Sequence, residues 1–136
     1  MNQKDIGVIA ENEVMTALSR CGVTVSIPRG DNDTYDLVAD INGRLYKIQV
    51  KSAIPRYEGS IDIHTVKSRR PYEDGDVDYF ATTYKGKCYL IPYEGTMQVM
   101  SLRLEPVKYD YRKRLVRMAE DYELERVVYE LMTTDV

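Results

Sequence analysis

A mixed α/β fold is expected from three features: an apolar stripe at helical spacing near the start, period-two alternation around two tight glycine corners in the middle, and a second helical stripe near the end. In the first 21 residues Ile6, Ala10, Val14, Ala17 and Leu18 recur at helical spacing. Asn2 or Asp5 can cap that helix and Gly22 follows its last turn. A strand is expected over residues 23–27. Pro28-Arg29-Gly30-Asp31-Asn32-Asp33 is dense in turn formers and reads as an exposed loop. Within it, Asp31 and Asp33 sit among Gly and Asn, where Asp side chains bond nearby backbone, so turn roles are expected for both.

Residues 35–41 and 44–50 flank Asn42-Gly43, a strong signal for a hairpin closed by a type I′ turn. Further strands are expected over residues 60–65, 79–84 and 87–91, the last two forming a hairpin around Lys85-Gly86. The segment 66–78 between them reads as a loop. Leu115, Met118, Ala119, Tyr122, Val127 and Leu131 fit one or two C-terminal helices, with Pro106 as their upstream boundary. A chain of 136 residues is long enough for one domain with a real core and short for two, so a single domain over residues 1–136 is expected.

Composition narrows the function classes. At 43% hydrophobic and 30% charged residues the chain is of globular type, and no apolar run approaches the roughly 20 residues of a membrane-spanning helix. Residues 1–5 carry no apolar secretory segment, so a cytoplasmic location without disulfides is expected. Two cysteines (Cys21, Cys88) and one histidine (His64) cannot assemble a Cys/His zinc cluster in one chain. Free cysteines of this kind are expected as small apolar fillers. Although the net charge is −3, residues 44–73 hold seven basic residues against three acidic ones, a local excess suited to a polyanion.

The chemistry follows from the hairpin. With Asn42-Gly43 as the turn, residue 41 faces 44, and pairing carried outward sets Asp36 opposite Gln49. Alternation then places Asp36, Val38, Asp40, Leu45, Lys47, Gln49 and Lys51 on one face. Leu37, Ala39, Ile41, Tyr46, Ile48 and Val50 share the other, an apolar face that belongs against helices. A carboxylate, an amide and an ammonium thus gather at the open end, Lys51 being about 6–7 Å beyond Gln49. Mg²⁺ prefers hard oxygen ligands, which Asp36 and the Gln49 carbonyl supply, and Glu11 can lean over the sheet edge with a second carboxylate. Lys51 can orient a water or offset charge developing on a phosphate. Around this centre Lys67, Arg69 and Arg70, with Tyr72, form a candidate phosphate clamp, and Arg29 can reach a groove. Ser52 either touches phosphate or is a plain strand-end serine, and His64 reads as a solvent-facing strand residue.

Asp36, a spacer, then Gln49-Val50-Lys51, preceded by helical Glu11, resembles the PD-(D/E)XK nuclease superfamily. More narrowly, Gly30-Asp31-Asn32, Tyr35-Asp36-Leu37, Ile48-Gln49-Val50-Lys51-Ser52-Ala53, Asp76-Val77-Asp78-Tyr79-Phe80 and Tyr89-Leu90-Ile91-Pro92 are similar to group I intron-associated homing endonucleases of that superfamily. The resemblance implies a restriction-endonuclease-like αβββαβ core with a mixed central sheet, Mg²⁺-dependent cleavage of double-stranded DNA (Mn²⁺ substituting) and a homo-oligomer, dimer or tetramer. It matches Asp36 to the metal-binding aspartate, Lys51 to the catalytic lysine and Glu11 to the accessory glutamate. Tyr35 stands where the superfamily has proline, and Gln49 where it usually has an acid, a glutamine that the intron-associated subgroup shares. A junction-resolving, repair or restriction-type nuclease of the same fold, or a DNA-binding or assembly protein that does not cut, are the competing readings.

Overall fold

A computed structural model of the chain describes residues 1–30, 34–56, 59–65, 71–95, 98–105 and 116–134. Helix α1 spans Gln3–Arg20, and the Asn2 side chain caps it by accepting the Asp5 N–H at 2.9 Å. Its buried stripe is Ala10, Val14, Ala17 and Leu18. Ile6 was expected on that stripe but stays 40% exposed, because burial of the helix begins only at Ala10. Gly22, at φ +80°, ends the helix where a side chain would be strained.

Strands β1 (Thr24–Ser26), β2 (Leu37–Ile41) and β3 (Arg44–Val50) run antiparallel in sequence order. Asn42 (φ 53°) and Gly43 (φ 83°) both adopt positive φ, as a type I′ turn requires, and Ile41 pairs with Arg44 as expected. The Asn42 amide also donates to the Met132 carbonyl at 2.8 Å, tying the turn to the C-terminal helix. β6 (Tyr79–Tyr84) lies parallel to β3, and β7 (Lys87–Pro92) returns antiparallel around Lys85 and Gly86. The result is a five-stranded mixed sheet, ordered β1-β2-β3-β6-β7.

Parallel strands need a long connection. Between β3 and β6 it carries β4 (Ile54–Arg56) and β5 (Ser60–His64), which join β8 (Val99–Arg103) in a second sheet ordered β4-β5-β8. β4 and β8 were not expected: β4 is three residues long and contains Pro55, and β8 is flanked by no turn dipeptide. A 3₁₀ turn at Ala119–Tyr122 leads into helix α2 (Leu124–Thr133). This mixed sheet with helices is restriction-endonuclease-like, as expected. Among the described residues no helix stands in the β3–β6 connection, and α2 covers the sheet from the C-terminal end instead. The expectations placed on Asp31, Asp33, Lys67, Arg69, Arg70, Pro106 and Leu115 lie outside the described residues.

The two faces of the large sheet close two cores. Leu37, Ala39, Ile41 and Ile48 pack with Val14 and Leu18 of α1 and Leu124 and Val128 of α2, so the apolar hairpin face meets helices as its alternation requires. On the opposite side Phe80, Tyr89 and Ile91 cluster with Ile61, Ile63, Met100 and Leu102 of the small sheet. Each fully buried Leu, Ile or Phe stabilises the fold by about 1.5–3 kcal/mol through burial. The open end of the β2–β3 hairpin is thereby held between α1 and the small-sheet side. No helix among the described residues is long and apolar enough to cross a membrane.

Candidate active site

Asp36 stands just before β2, at the point where the ladder stops. Regular pairing ends at Leu37↔Ile48, and the expected pairing of Asp36 with Gln49 is not made. The Asp36 N–H donates to the Ile48 carbonyl at 2.8 Å, one residue out of step. Its carboxylate Oδ2 accepts the Val50 N–H at 2.9 Å. A continued antiparallel ladder would have offered the Tyr35 carbonyl to that N–H. The side chain takes its place, which fixes the carboxylate across the mouth of the hairpin while Oδ1 remains for another ligand.

Lys51 is the first residue past β3, and its N–H extends the parallel pairing by donating to the Ala81 carbonyl at 2.8 Å. Gln49 lies between Ile48 and Val50, both packed on the helix side, so it shares the opposite face with Lys51 and Asp36. Its amide donates to the Val50 carbonyl at 3.4 Å, a long and weak contact. Glu11 follows the buried Ala10 on α1 and is half-buried.

The charges respond to one another. Burial pushes the Glu11 carboxyl above its ordinary value of 4.5, and the nearby Asp36 charge pushes it further. Burial also raises Asp36, against the opposing pull of the Val50 N–H and the Lys51 ammonium. Lys51 is lowered by burial and partly restored by Asp36. Glu11, Asp36 and Lys51 are thus brought together, with Gln49 on the same sheet face as the latter two.

No group of three or more His, Cys, Asp and Glu side chains gathers among the described residues, and the further oxygen donor on the Asp36 face is the Gln49 amide. This donor set fits a hard divalent cation: the oxygens of Asp36, Glu11 and Gln49 are hard ligands, and both carboxyl groups are raised, burial outweighing the pull of Lys51 and the Val50 N–H on Asp36. Cys88, by contrast, is buried with its thiol pushed up to about 11, which suits a filler and not a nucleophile.

Of the expected DNA-contacting residues, Ser52 is exposed and lines a groove of about 230 Å³ with Ile6, Ile9, Ala10, Lys51 and Thr83. Arg29 is exposed on the loop after β1, and His64 is exposed at the end of β5. Tyr72 departs from its expected place in a phosphate clamp: it is 5% exposed, and the Lys51 ammonium lies 5.0 Å from its ring centroid. Nothing within a few residues of Tyr72 signals this, because its partners Lys51 and Phe80 come from β3's end and β6.

A sequence profile described as PD-(D/E)XK endonuclease matches residues 1–125. The chain belongs to the PD-(D/E)XK endonuclease family. Membership makes it an endonuclease with DNA as its substrate class. Among solved structures it is similar to a bacterial homing endonuclease, I-Ssp6803I, with a TM-score of 0.71 and 21% identity over 96% of this chain and 91% of that one. At that identity the likeness speaks for a shared fold alone. Among curated proteins nothing matches.

Proposed function

We propose that the chain is a Mg²⁺-dependent, site-specific endonuclease of the homing type that hydrolyses double-stranded DNA as a homodimer or homotetramer. The observation that carries this reading is the Asp36 carboxylate, fixed at the open end of the hairpin by the Val50 N–H, with the Glu11 carboxylate and the Lys51 ammonium close enough to act on it or feel its charge. Asp36, Glu11 and the Gln49 carbonyl would hold the cation. Bound there, Mg²⁺ supplies Lewis-acid polarisation of the scissile phosphate and a water of lowered pKa. Lys51, which burial lowers and the Asp36 charge partly restores, orients the attacking water or offsets the negative charge that develops on the phosphate oxygens. The half-buried setting strengthens these attractions relative to open water.

The homing character is supported by the run from Ile48 to Ala53, by Gln49 in place of an acid, and by the fold shared with I-Ssp6803I. Assembly is supported by Ile6, Val8 and Ile9, 40–49% exposed along one stretch of α1. The test is cleavage of linear DNA carrying an uninterrupted intron target, beside a four-way junction, with Mg²⁺ or EDTA and with Lys51→Ala as control. Mg²⁺-dependent double-strand cuts that vanish in Lys51→Ala support the reading. Preference for the junction would make the protein a resolvase, and binding without cutting would make it an assembly protein.

A further inference from the structure

Beneath the site lies a ring that the chemistry above does not use. Tyr72 meets Phe80 edge-on, with centroids 5.1 Å apart and planes at 77°, and its carbonyl accepts the Tyr93 hydroxyl at 3.1 Å. Ring and backbone are both held. The Lys51 ammonium sits over that ring at 5.0 Å. Arg44 and Lys47 also lie over rings, those of Tyr46 and Tyr35, but these are only half-buried, and cation–ring attraction grows as water is removed. Lys51 needs such a guide, because regular β3 ends at Val50 and a four-carbon side chain has many rotamers.

Resting on the endonuclease reading, we infer that Tyr72 is a positioning residue whose ring face holds the Lys51 ammonium beside the Asp36 carboxylate, in the place from which it meets the phosphate. The acting part is the ring. Burial, with the Asp36 and Asp76 charges, pushes the Tyr72 hydroxyl up to about 12, so it stays neutral and is no base. The Lys51 ammonium also feels the Asp36 charge, and the ring face beneath it limits the directions in which the side chain can turn.

The experiment pairs single-turnover cleavage with proton NMR of the Lys51 ε-methylene, which ring current shifts upfield when the side chain lies over an aromatic face. Tyr72→Phe should keep the upfield shift and cleave within about 2-fold of wild type, while Tyr72→Leu should lose the shift and lower kcat on the order of 10-fold with KM for DNA unchanged. Should Tyr72→Leu unfold, progressively fluorinated phenylalanines at position 72 keep the ring's size and drain its π density; kcat should fall in step. Equal loss in Tyr72→Phe and Tyr72→Leu would overturn the inference in favour of the hydroxyl. Unchanged kcat in Tyr72→Leu or across the fluorinated series would overturn it outright. A wild-type protein that shows the upfield shift yet cuts no DNA would bring down the positioning role together with the endonuclease reading, and the shift itself distinguishes that case from a ring that never meets Lys51.

Discussion

Asp62 in the small sheet and Asp36 at the mouth of the large one are both withdrawn from water, but their surroundings treat the negative charge in opposite ways. Asp62 accepts the Arg56 Nε–H at 2.7 Å and the Ser101 hydroxyl at 2.5 Å. Burial works to raise its carboxyl, but the bonds from Ser101 and Arg56, with the charges of Arg56 and His64, outweigh that and hold it below its ordinary range. Asp36 receives one backbone N–H and the attraction of Lys51, and there burial wins and raises it. The contrast separates a carboxylate neutralised by its own chain from one left short of positive charge, which is the condition that makes a cation site.

The sharpest way to break the comparison is to neutralise each acid in turn. Asp36→Asn should lower cleavage at least ~10³-fold, since it removes a metal ligand and a charge, while DNA binding measured in Ca²⁺ stays within a few-fold. Added Mg²⁺ should raise the thermal midpoint of wild type and leave that of Asp36→Asn unmoved, because only a protein that binds the ion is stabilised by it. Lys51→Met should cost on the order of 10²–10³-fold in kcat, read under single turnover. Asp62→Asn should behave in reverse: cleavage per folded molecule within about 2-fold, but a loss of roughly 1–2 kcal/mol in urea denaturation, since bonds to a charged acceptor are broken. Asp62→Asn with normal stability, or Asp36→Asn with normal cleavage, would erase the distinction.

Acid titration sharpens the same contrast without mutation. Asp62, lowered from 3.8, contributes stability that is present above that value and is lost as pH falls through its folded pKa. Asp36, raised from 3.8, has the opposite sign: its contribution is complete below 3.8 and is lost as pH rises through its folded pKa, so metal-free neutral protein carries a cost. In EDTA, Asp36→Asn should therefore be as stable as wild type or more so above the raised value, with the difference closing toward pH 3.8, as urea midpoints measured across acid pH will show. In Mg²⁺, cleavage should fall as pH drops through the raised carboxyls of Asp36 and Glu11, because protons compete with the cation. The smallest effect is expected from Gln49→Glu, which should fold normally and tighten Mg²⁺ or change the preference for Mn²⁺ by a few-fold. Loss of folding would assign the amide a structural role.

Much of the fold was legible because the signals are local. Asn42-Gly43 needs only its own backbone to reach two positive φ values, and that turn alone sets the Ile41↔Arg44 register and the division of the hairpin into two faces. The cap at Asn2 and the Lys85-Gly86 corner are read the same way. The small sheet was half-hidden, since three-residue β4 has no room for a period to show. At the candidate site the residue types were legible, and their arrangement was only partly so: Asp36 leaves the register by one residue and turns its carboxylate to Val50.

By itself, then, the sequence determined the helix–hairpin order, the apolar and polar faces, and the run of Asp36, Gln49 and Lys51 that marks the family, all of which depend on neighbours a few positions apart. Only the tertiary structure decided that Tyr72 lies under Lys51, and that Asp62 is neutralised while burial raises Asp36. Those outcomes depend on which distant segments close on one another and how much water they expel, and no dipeptide or periodicity carries that information.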